Sequence, residues 1–216
     1  MAEIFRSIQG EGIYVGMPQL FIRFYGCKLR CSFCDTPLKY YEELSPLELL
    51  TKVRSLAEGI DWLSLTGGEP LEQADFLKEF LPLAKRENFR MYLETNGIYH
   101  QELSKLIELI DVIAMDIKLP SSTGRKAFWR EHKNFLEIAR EKEVFVKVVI
   151  GLSTTEEDLK KALALVKNKD IIFILQPNTF ELEKLRKKLD RFQNICQNYI
   201  QNFRIIPQIH KLLGRD

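Results

Sequence analysis

The sequence of 216 residues contains only four cysteines and three histidines, and no apolar run approaches the roughly 18 residues of a membrane span. Its 32 basic and 30 acidic residues are mixed along the chain, without the single-sign block typical of a nucleic-acid-binding arm. The N-terminus lacks a basic region followed by an apolar one, so no signal peptide is predicted. These absences predict a cytoplasmic protein that binds neither membranes nor nucleic acid.

Length and composition indicate one structural unit. Of the 216 residues, 45% are hydrophobic, which is enough to bury a full core and fits one domain better than two. No internal repeat, low-complexity tract or linker divides the chain. The expected organisation is therefore a single domain over residues 1–216.

Short β-branched and aromatic runs alternate with longer amphipathic segments. The short runs predict six strands, at residues 19–26, 61–67, 90–97, 111–118, 144–151 and 170–178. Helical patterns cover residues 45–59, 73–88 and 154–169, and an apolar stripe with helical spacing runs from Leu182 to Phe203. The alternation predicts an α/β fold with a parallel sheet. Six strands are fewer than the eight of a complete barrel, so the pattern leaves an open barrel and a doubly wound sheet as alternatives.

Small or polar residues follow four of the predicted strands, in the segments TGGEP, ETNG, DIK and QPN. In parallel α/β folds, sites lie at the carboxyl ends of the strands, so these segments are expected to converge on one mouth. The most loop-like stretch, residues 119–128, is a candidate lid over that mouth.

Three of the four cysteines, Cys27, Cys31 and Cys34, lie within eight residues, in the spacing Cys-x3-Cys-x2-Cys. In a reducing compartment, clustered cysteines are more often metal ligands or catalytic groups than disulfide partners. The fourth, Cys196, falls on the apolar helical stripe, where a free cysteine packs as a small hydrophobe. We therefore assign Cys196 to the core and the other three to a metal site.

Two kinds of metal site compete for three thiolates. Structural zinc requires four ligands, usually as two pairs, and the sequence has no second pair, only the isolated His100, His132 and His210. A cubane iron–sulfur cluster also usually takes four thiolates, so three would leave one iron open to a small chelating ligand. The pattern favours a cluster with an open coordination site for a cofactor or substrate.

The cysteine motif, with aromatic Phe33 before its last cysteine, resembles the signature of the radical S-adenosylmethionine (SAM) superfamily, and TGGEP resembles its Gly-Gly-Glu segment. The resemblance implies a 4Fe-4S cluster on Cys27, Cys31 and Cys34 whose fourth iron is chelated by SAM. It implies that an adenosyl radical, formed by reductive cleavage of SAM, abstracts hydrogen from a substrate. The implied fold is an incomplete (β/α)6-type partial TIM barrel.

The stretch SIQGEGIYVGMPQLFIRFYGCKLRCSFCDT, residues 7–36, resembles the start of the 7-carboxy-7-deazaguanine synthase family. Members of that family contract the ring of 6-carboxy-5,6,7,8-tetrahydropterin with loss of ammonia, in queuosine and 7-deazapurine biosynthesis. The resemblance implies a lyase whose substrate-binding residues are Ile8, Gln9, Gly10, Glu11, Arg23 and Thr66. Chemically, a guanidinium suits a carboxylate, while glutamine and glutamate supply donors and acceptors to a pterin edge.

The same resemblance implies a SAM site and a magnesium site. The residues expected to line the SAM site are Phe33, Asp35, Gly68, Thr95, Asp116, Ile117, Lys118 and Gln176. Thr36 matches the threonine that helps hold Mg²⁺ in the family, and Mg²⁺ commonly uses few protein ligands. Many family members have Ser-Pro-Lys where this chain has Asp116-Ile117-Lys118, and tryptophan where it has Phe33.

Three further expectations follow from the resemblance. It implies a homodimer and an electron donor such as flavodoxin or ferredoxin. Near the C-terminus, Pro207, Gln208 and His210 would either close the substrate side or form a final strand and dimer contact. The alternatives are a glycyl-radical-enzyme activase, whose mouth must admit a polypeptide, and a non-enzymatic iron–sulfur or zinc module, which offers no reason for TGGEP at a strand end.

Overall fold

The computed structural model describes residues 1–34, 36 and 40–214. Within these ranges, eight strands form one sheet whose order follows the chain. The strands are β1 (Glu3–Ile8), β2 (Pro18–Phe24), β3 (Trp62–Gly67), β4 (Arg90–Thr95), β5 (Val112–Asp116), β6 (Glu143–Ile150), β7 (Ile172–Pro177) and β8 (Phe203–Ile205). β1 runs antiparallel to β2, and every later pair is parallel.

Helices connect the parallel strands. They are α1 (Pro46–Leu56), α2 (Ala74–Arg86), α3 (His100–Leu106), α4 (Pro120–Thr123), α5 (Trp129–Ala139), α6 (Glu156–Val166), α7 (Leu182–Tyr199) and α8 (Ile209–Leu212). One long helix follows each strand from β2 to β7, with α4 as an additional turn before α5, so six β/α units form the partial TIM barrel that was predicted.

The structure adds two strands to the six predicted ones. β1 is an edge strand whose residues alternate only weakly in burial, and β8 has three residues, so neither carries a strong periodic signal. The predicted helical stripe extended to Phe203, but α7 ends at Tyr199 and Phe203 begins β8. Cys196 is fully buried in α7, as expected of a core cysteine.

Two of the helices, α1 and α6, begin at residues whose side chains cap them. Ser45 and Glu48 form a reciprocal capping box at α1, and the Thr155 side chain accepts a hydrogen bond from the Asp158 amide at α6. In the part of the chain that the structure describes, no helix has both the length and the apolar character needed to cross a membrane.

Two groups of buried side chains lie on opposite faces of the sheet. The larger group packs between the sheet and the helices. The smaller group lies on the inner face and consists of Trp62, Tyr92, Val112, Ala114, Phe145 and Ile174. Tyr14, from a helical turn after β1, packs its ring 5.6 Å from Trp62 and 5.5 Å from Tyr92, centroid to centroid. This aromatic layer, here called the aromatic floor, fills the lower part of the barrel, below the next inward-facing residues of the same strands.

Candidate active site

Polar side chains stand directly above the aromatic layer. Successive inward-facing residues of a strand are two apart, so the inner face carries Glu94 after Tyr92, Asp116 after Ala114, Lys147 after Phe145 and Gln176 after Ile174. All four polar residues line one cavity. The carboxyl ends of β4 to β7 therefore converge on one mouth, as the sequence predicted.

This cavity, here called the cofactor chamber, has a volume of about 430 Å³. The cysteine loop forms one wall with Cys27, Cys31 and Cys34, and Phe33 and Thr36 lie in the same wall. The chamber's other predicted residues are Thr66, Gly68, Thr95, Asp116, Lys118 and Gln176.

A second cavity of about 370 Å³, here called the substrate chamber, adjoins the first. The predicted residues Ile8, Gln9, Gly10 and Arg23 line it. Glu11, Thr36, Thr66, Gly67, Glu94 and Gln208 line both chambers. Because these residues are shared, the two chambers are parts of one cleft.

The three loop cysteines are free thiols, with Cys34 exposed. Within the described ranges, no three His, Cys, Asp or Glu side chains are grouped as ligands of a single metal ion. An iron–sulfur cluster has a different geometric requirement, because each thiolate binds a different iron of the cluster and the sulfur atoms need not converge on one point. Three thiols on one wall of a chamber fit that requirement. Burial raises the pKa of Cys27 and Cys31, so binding a metal must release their protons.

The cysteine loop is packed tightly against the end of β3. Gly68 donates its amide to the Phe24 carbonyl at 2.9 Å, and the Glu69 amide donates to the Gly26 carbonyl at 2.8 Å. A Cβ at Gly68 would lie 1.8 Å from the Gly26 oxygen. The close neighbour of Gly68 is therefore the backbone at the start of the cysteine loop.

Residues 119–128 hold the opposite side of the cysteine loop. The Ser32 amide donates to the Thr123 carbonyl at 3.0 Å, and the Ser32 hydroxyl donates to the Ser122 carbonyl at 3.0 Å. Arg125 Nε donates to the Arg30 carbonyl at 2.7 Å. Ser122 and Thr123 are buried, and the segment contains α4. It therefore braces the cysteine loop, and its residues do not line either chamber, in contrast to the lid over the mouth predicted from its composition.

Glu69 of TGGEP is fully buried and points away from the chamber. Its carboxylate accepts hydrogen bonds from the Thr95 hydroxyl, the Asn96 amide and the Leu71 amide, at 2.8 to 3.1 Å. Burial raises its pKa to about 7, although these hydrogen bonds and the charge of Lys118 lower it. Glu69 thus ties the end of β3 to the end of β4, which fixes Thr95 in the wall of the cofactor chamber.

Polar atoms in the cofactor chamber fit a ligand with polar groups. Asp116 Oδ1, Gln176 Oε1 and Asn96 Nδ2 are buried and have no hydrogen-bond partner among the described residues. Asp116 Oδ2 contacts Lys118 Nζ at 2.7 Å, and that ammonium lies 5.7 Å from the centroid of Phe33. An amino acid with charged amino and carboxylate groups, such as the methionine part of SAM, would satisfy these atoms.

Two predicted cofactor residues differ from the others. The Ile117 side chain is buried in the core between sheet and helices, and its amide donates to the Lys147 carbonyl at 2.9 Å. Its side chain therefore packs in the core and does not line the chamber, contrary to the prediction. Ile117 directly follows β5, and its side chain continues the alternation between the two faces of the sheet. Asp35 lies outside the described residues.

Gln9 organises the substrate chamber. Its Nε2 donates to Glu94 Oε1 at 2.9 Å and to Gln19 Oε1 at 3.2 Å, while its Oε1 accepts from the Glu11 amide at 3.0 Å. Both amide hydrogens are thus used within the protein. In this arrangement Gln9 sets the positions of Glu11 and Glu94.

Glu11 is the most strongly held acidic group of the site. Its carboxylate forms an ion pair with Lys147 and accepts a hydrogen bond from Gln208 Nε2 at 2.7 Å. Burial alone would raise the pKa of Glu11, but Lys147, Gln208 and the charge of His210 lower it to about 2. Glu11 is therefore ionised at neutral pH.

The C-terminal segment closes the substrate chamber. After β8 and Pro207, Gln208 lines both chambers and His210 lines the second. The Ile209 amide donates to the Gly10 carbonyl at 2.9 Å, and a Cβ at Gly10 would lie 2.0 Å from His210 Nδ1. Gln208 and His210 therefore close the substrate side of the chamber, and they do not form the final strand, which ends before them at Ile205. A dimer contact by this segment stays a prediction.

Arg23 reaches the substrate chamber from β2. Its Nε lies 3.5 Å from Glu3 Oε2, and its guanidinium carbon lies 5.0 Å from the centroid of Phe5. Arg23 Nε is buried and makes no hydrogen bond to a described residue. The guanidinium is thus held by one ring and one loosely placed carboxylate, which leaves donors for a ligand.

Sequence reasoning missed Glu94 and Lys147. Glu94 lines both chambers, and Lys147 stands between two carboxylates in the wall of the first. Both interrupt apolar strands at inward-facing positions, in MYLET and FVKVV. A charged residue inside such a strand is the signal that could have identified them, because buried charges are rare without a partner or a function.

The comparisons with known proteins agree with this geometry. The sequence profile of the radical SAM superfamily matches residues 21–166. A 7-carboxy-7-deazaguanine synthase of Geobacter sulfurreducens is 38% identical, with 100% of this chain and 97% of the relative covered. One from Thermoplasma acidophilum is 35% identical, with the same coverage of 100% and 97%.

Solved structures show the same fold. QueE from Escherichia coli superposes with a TM-score of 0.65 at 22% identity, covering 97% of this chain and 93% of that one. Streptococcus suis SuiB, bound to precursor peptide SuiA, gives a TM-score of 0.59 at 16% identity, covering 86% of this chain and 47% of that one.

The partial barrel and its three-cysteine loop thus define a radical SAM architecture, with the 4Fe-4S cluster and SAM that this superfamily uses. Within that superfamily, the chain belongs to the 7-carboxy-7-deazaguanine synthase family.

Proposed function

We propose that this protein is a lyase that converts 6-carboxy-5,6,7,8-tetrahydropterin to 7-carboxy-7-deazaguanine with loss of ammonia. One observation carries the proposal: the cysteine-lined chamber and the chamber of Gln9, Glu11 and Arg23 are parts of one cleft. The full-length relatives named for this synthase support it.

The cofactor chamber would hold the cluster and SAM. Cys27, Cys31 and Cys34 would each bind one iron, and Lys118, Asp116 and Gln176 would contact SAM through the polar groups that face the chamber. When bound and reduced, these cofactors supply an adenosyl radical that abstracts a hydrogen atom from the substrate. The protein fixes the distance between cofactor and substrate through the residues that both chambers share.

The substrate chamber would bind the pterin by charge and by hydrogen bonds. Arg23 would take the carboxylate, since a guanidinium matches a carboxylate bidentately. Glu11, which is ionised, would accept hydrogen bonds from the N–H groups of the pterin edge. Glu94 faces the same space and would define the far side of the ring.

Thr36 is the proposed Mg²⁺ ligand. It lines both chambers, which supports the proposal that one ion bound there would contact the protein and the substrate oxygens together. A hard ion with one protein ligand would complete its coordination with substrate and water. Mn²⁺ accepts the same oxygen ligands, so metal substitution is the direct comparison.

The positions of the substrate residues distinguish this proposal from an activase. An activase must admit a polypeptide loop, whereas here the C-terminal segment closes the substrate chamber beside Gly10 and Glu11. Homodimer formation, a flavodoxin or ferredoxin as electron donor, and a cytoplasmic location stay predictions from sequence.

An anaerobic assay tests the proposed function. Iron-reconstituted protein is incubated with dithionite, SAM, Mg²⁺ and 6-carboxytetrahydropterin, and products are identified by mass spectrometry. The proposal predicts 7-carboxy-7-deazaguanine from the wild type and from the core variant Cys196→Ser, and none from Cys31→Ala. Cleavage of SAM without any deazaguanine would reject the pterin as substrate.

A further inference from the structure

Lys147 joins two parts of the site that are distant in sequence. Its side chain is only 7% exposed, and its ammonium forms an ion pair with Glu11 from the N-terminal loop. The same ammonium lies 3.7 Å from Asp116 Oδ2 at the end of β5. Glu11 lines both chambers and Asp116 lines the cofactor chamber, so Lys147 stands where the two chambers meet.

We propose that Lys147 is a positioning residue that acts on the pterin through Glu11. Its ammonium holds the Glu11 carboxylate in the orientation from which it accepts hydrogen bonds from the substrate. This inference rests on the proposed function, because it takes the ligand of the substrate chamber to be a pterin.

The electrostatics of the cluster explain why a lysine is needed there. Among the described residues, the charged or titratable groups that interact with Glu11 or Lys147 include Tyr92, Glu94, Asp116, Lys118 and His210. Burial would lower the pKa of Lys147, but Asp116, Glu11 and Glu94 raise it above its ordinary value. The ammonium therefore stays charged among several carboxylates, and without it Glu11 would be a buried anion beside Glu94 and Asp116.

The two carboxylates depend on Lys147 to different extents. Asp116 keeps Lys118 at 2.7 Å, a closer contact than the 3.7 Å to Lys147. When Lys147 is replaced, Glu11 loses its direct ion-pair partner but keeps the hydrogen bond from the neutral amide of Gln208. Removal of the lysine charge should therefore weaken pterin binding far more than SAM binding.

Equilibrium binding to the cluster-loaded protein tests this asymmetry. The ligands are 6-carboxypterin, an oxidised analogue that cannot turn over, and SAM, each titrated from about pH 6 to about pH 8. The variants are Lys147→Met, Lys147→Arg and the control Lys161→Met, which removes a surface lysine that is paired with Glu157 on α6.

In Lys147→Met, the dissociation constant for the pterin should rise about tenfold or more, the usual effect of losing a hydrogen bond to a charged group. The dissociation constant for SAM should change less than about fivefold, because Lys147 is only loosely paired with Asp116. The ratio of the variant's pterin constant to that of the wild type should grow as the pH falls, because Glu11 without Lys147 takes up a proton more readily. Lys147→Arg should recover part of the affinity, and Lys161→Met should match the wild type.

A double variant covers the case in which Lys147→Met does not fold. Glu11→Gln combined with Lys147→Met leaves no unpaired Glu11 carboxylate. It should bind the pterin within about twofold of Glu11→Gln alone, since a residue that acts through Glu11 has no further effect once that charge is gone. Much weaker binding by the double variant would overturn the assignment.

The outcomes separate the two proposals. If the wild type binds the pterin and Lys147→Met binds it equally well without any added pH dependence, the role of Lys147 is rejected and the proposed function stands. If the wild type binds SAM but no pterin, the proposed function fails and the inference fails with it.

Discussion

Gly68 at the end of β3 is in backbone contact with Gly26, the residue that precedes Cys27. A Cβ at position 68 would lie 1.8 Å from the Gly26 oxygen and 2.4 Å from its carbonyl carbon. Neither atom belongs to a side chain that could rotate away. The spacing between β3 and the cysteine loop, and so the position of Cys27, is set by the absence of a side chain at Gly68.

Gly68→Ala should therefore displace the cysteine loop. We expect the reconstituted variant to bind less than about half of the wild-type iron, measured as iron content and cluster absorbance, since backbone atoms must move by more than an ångström to admit the methyl group.

Gly59→Ala is the matched control. Gly59 has a φ of 71°, but nothing lies within 4 Å of a Cβ there. Its substitution should cost about 1–2 kcal/mol of stability through backbone strain and leave iron binding unchanged. Equal iron binding by Gly68→Ala and the wild type would contradict the role given to this contact.

Arg23→Lys should separate charge from geometry in the substrate chamber. If Arg23 binds the substrate carboxylate bidentately, lysine keeps the charge but loses the fork, and KM for the pterin should rise about tenfold with a smaller change in kcat. Arg6→Lys provides the comparison, because Arg6 is exposed on β1 and donates to the Glu58 carbonyl. An unchanged KM in Arg23→Lys would exclude bidentate binding by this residue.

The buried Glu69 should make stability depend on pH. Burial raises the folded-state pKa of Glu69 from 4.5 to about 7. Its contribution to the free energy of unfolding is therefore fully present below pH 4.5 and is lost as the pH rises through 7. The shift corresponds to about 3 kcal/mol.

Urea unfolding of the cluster-free protein at several pH values measures this dependence. At low pH, Glu69→Gln should be less stable than the wild type by about 1–3 kcal/mol, since its amide group would face the Asn96 N–H donor. Its unfolding free energy should lack the part of the pH dependence that comes from Glu69. The exposed Glu141→Gln should keep the wild-type slope. Parallel curves for Glu69→Gln and the wild type would show that Glu69 does not titrate in this range.

The aromatic floor should contribute strongly to stability. Phe145 is fully buried, packs 6.3 Å from Tyr92 between centroids, and would meet a Cβ added to Gly12. Phe145→Ala should cost about 3–5 kcal/mol in urea unfolding. Phe180→Ala removes a side chain that is 78% exposed and should change stability by less than about 0.5 kcal/mol. Similar losses in the two variants would contradict the packing described for the floor.

The sequence was enough to predict the six strands β2 to β7 and the helices α1, α2, α6 and α7, because each of them has a clear periodic pattern. The helices α3 and α5 were not predicted, and the partial barrel of six units was implied by the family resemblance. The prediction that Cys27, Thr66 and Asp116 lie at one mouth is confirmed, since the carboxyl ends of parallel strands share one edge of the sheet. β1 was missed because pairing with β2, and not its own weak pattern, makes it a strand. The direction of the Glu69 side chain could not be predicted, because a sequence motif gives the residue types but not their hydrogen-bond partners.

Lys147 shows most clearly what could not be predicted from the sequence. It belongs to an otherwise apolar strand, and its role depends on Glu11, which is 136 residues away. No local pattern connects such a pair, because their contact exists only once the barrel has brought β6 under the N-terminal loop. Ile117 was wrongly assigned to the chamber because consecutive side chains at the end of β5 alternate between the two faces of the sheet, so a run of three residues cannot direct all of them into the site.

If the two chambers form one cleft, the adenosyl group supplied by SAM would take the C6 hydrogen of the pterin directly and would then return a hydrogen to the rearranged ring, which would regenerate SAM. The most direct measurement is anaerobic turnover of 6-carboxytetrahydropterin labelled with deuterium at C6, followed by mass spectrometry of the recovered SAM. We expect deuterium in SAM together with 7-carboxy-7-deazaguanine. Deazaguanine formed with unlabelled SAM, or SAM cleavage that leaves the deuterated pterin unchanged, would contradict it.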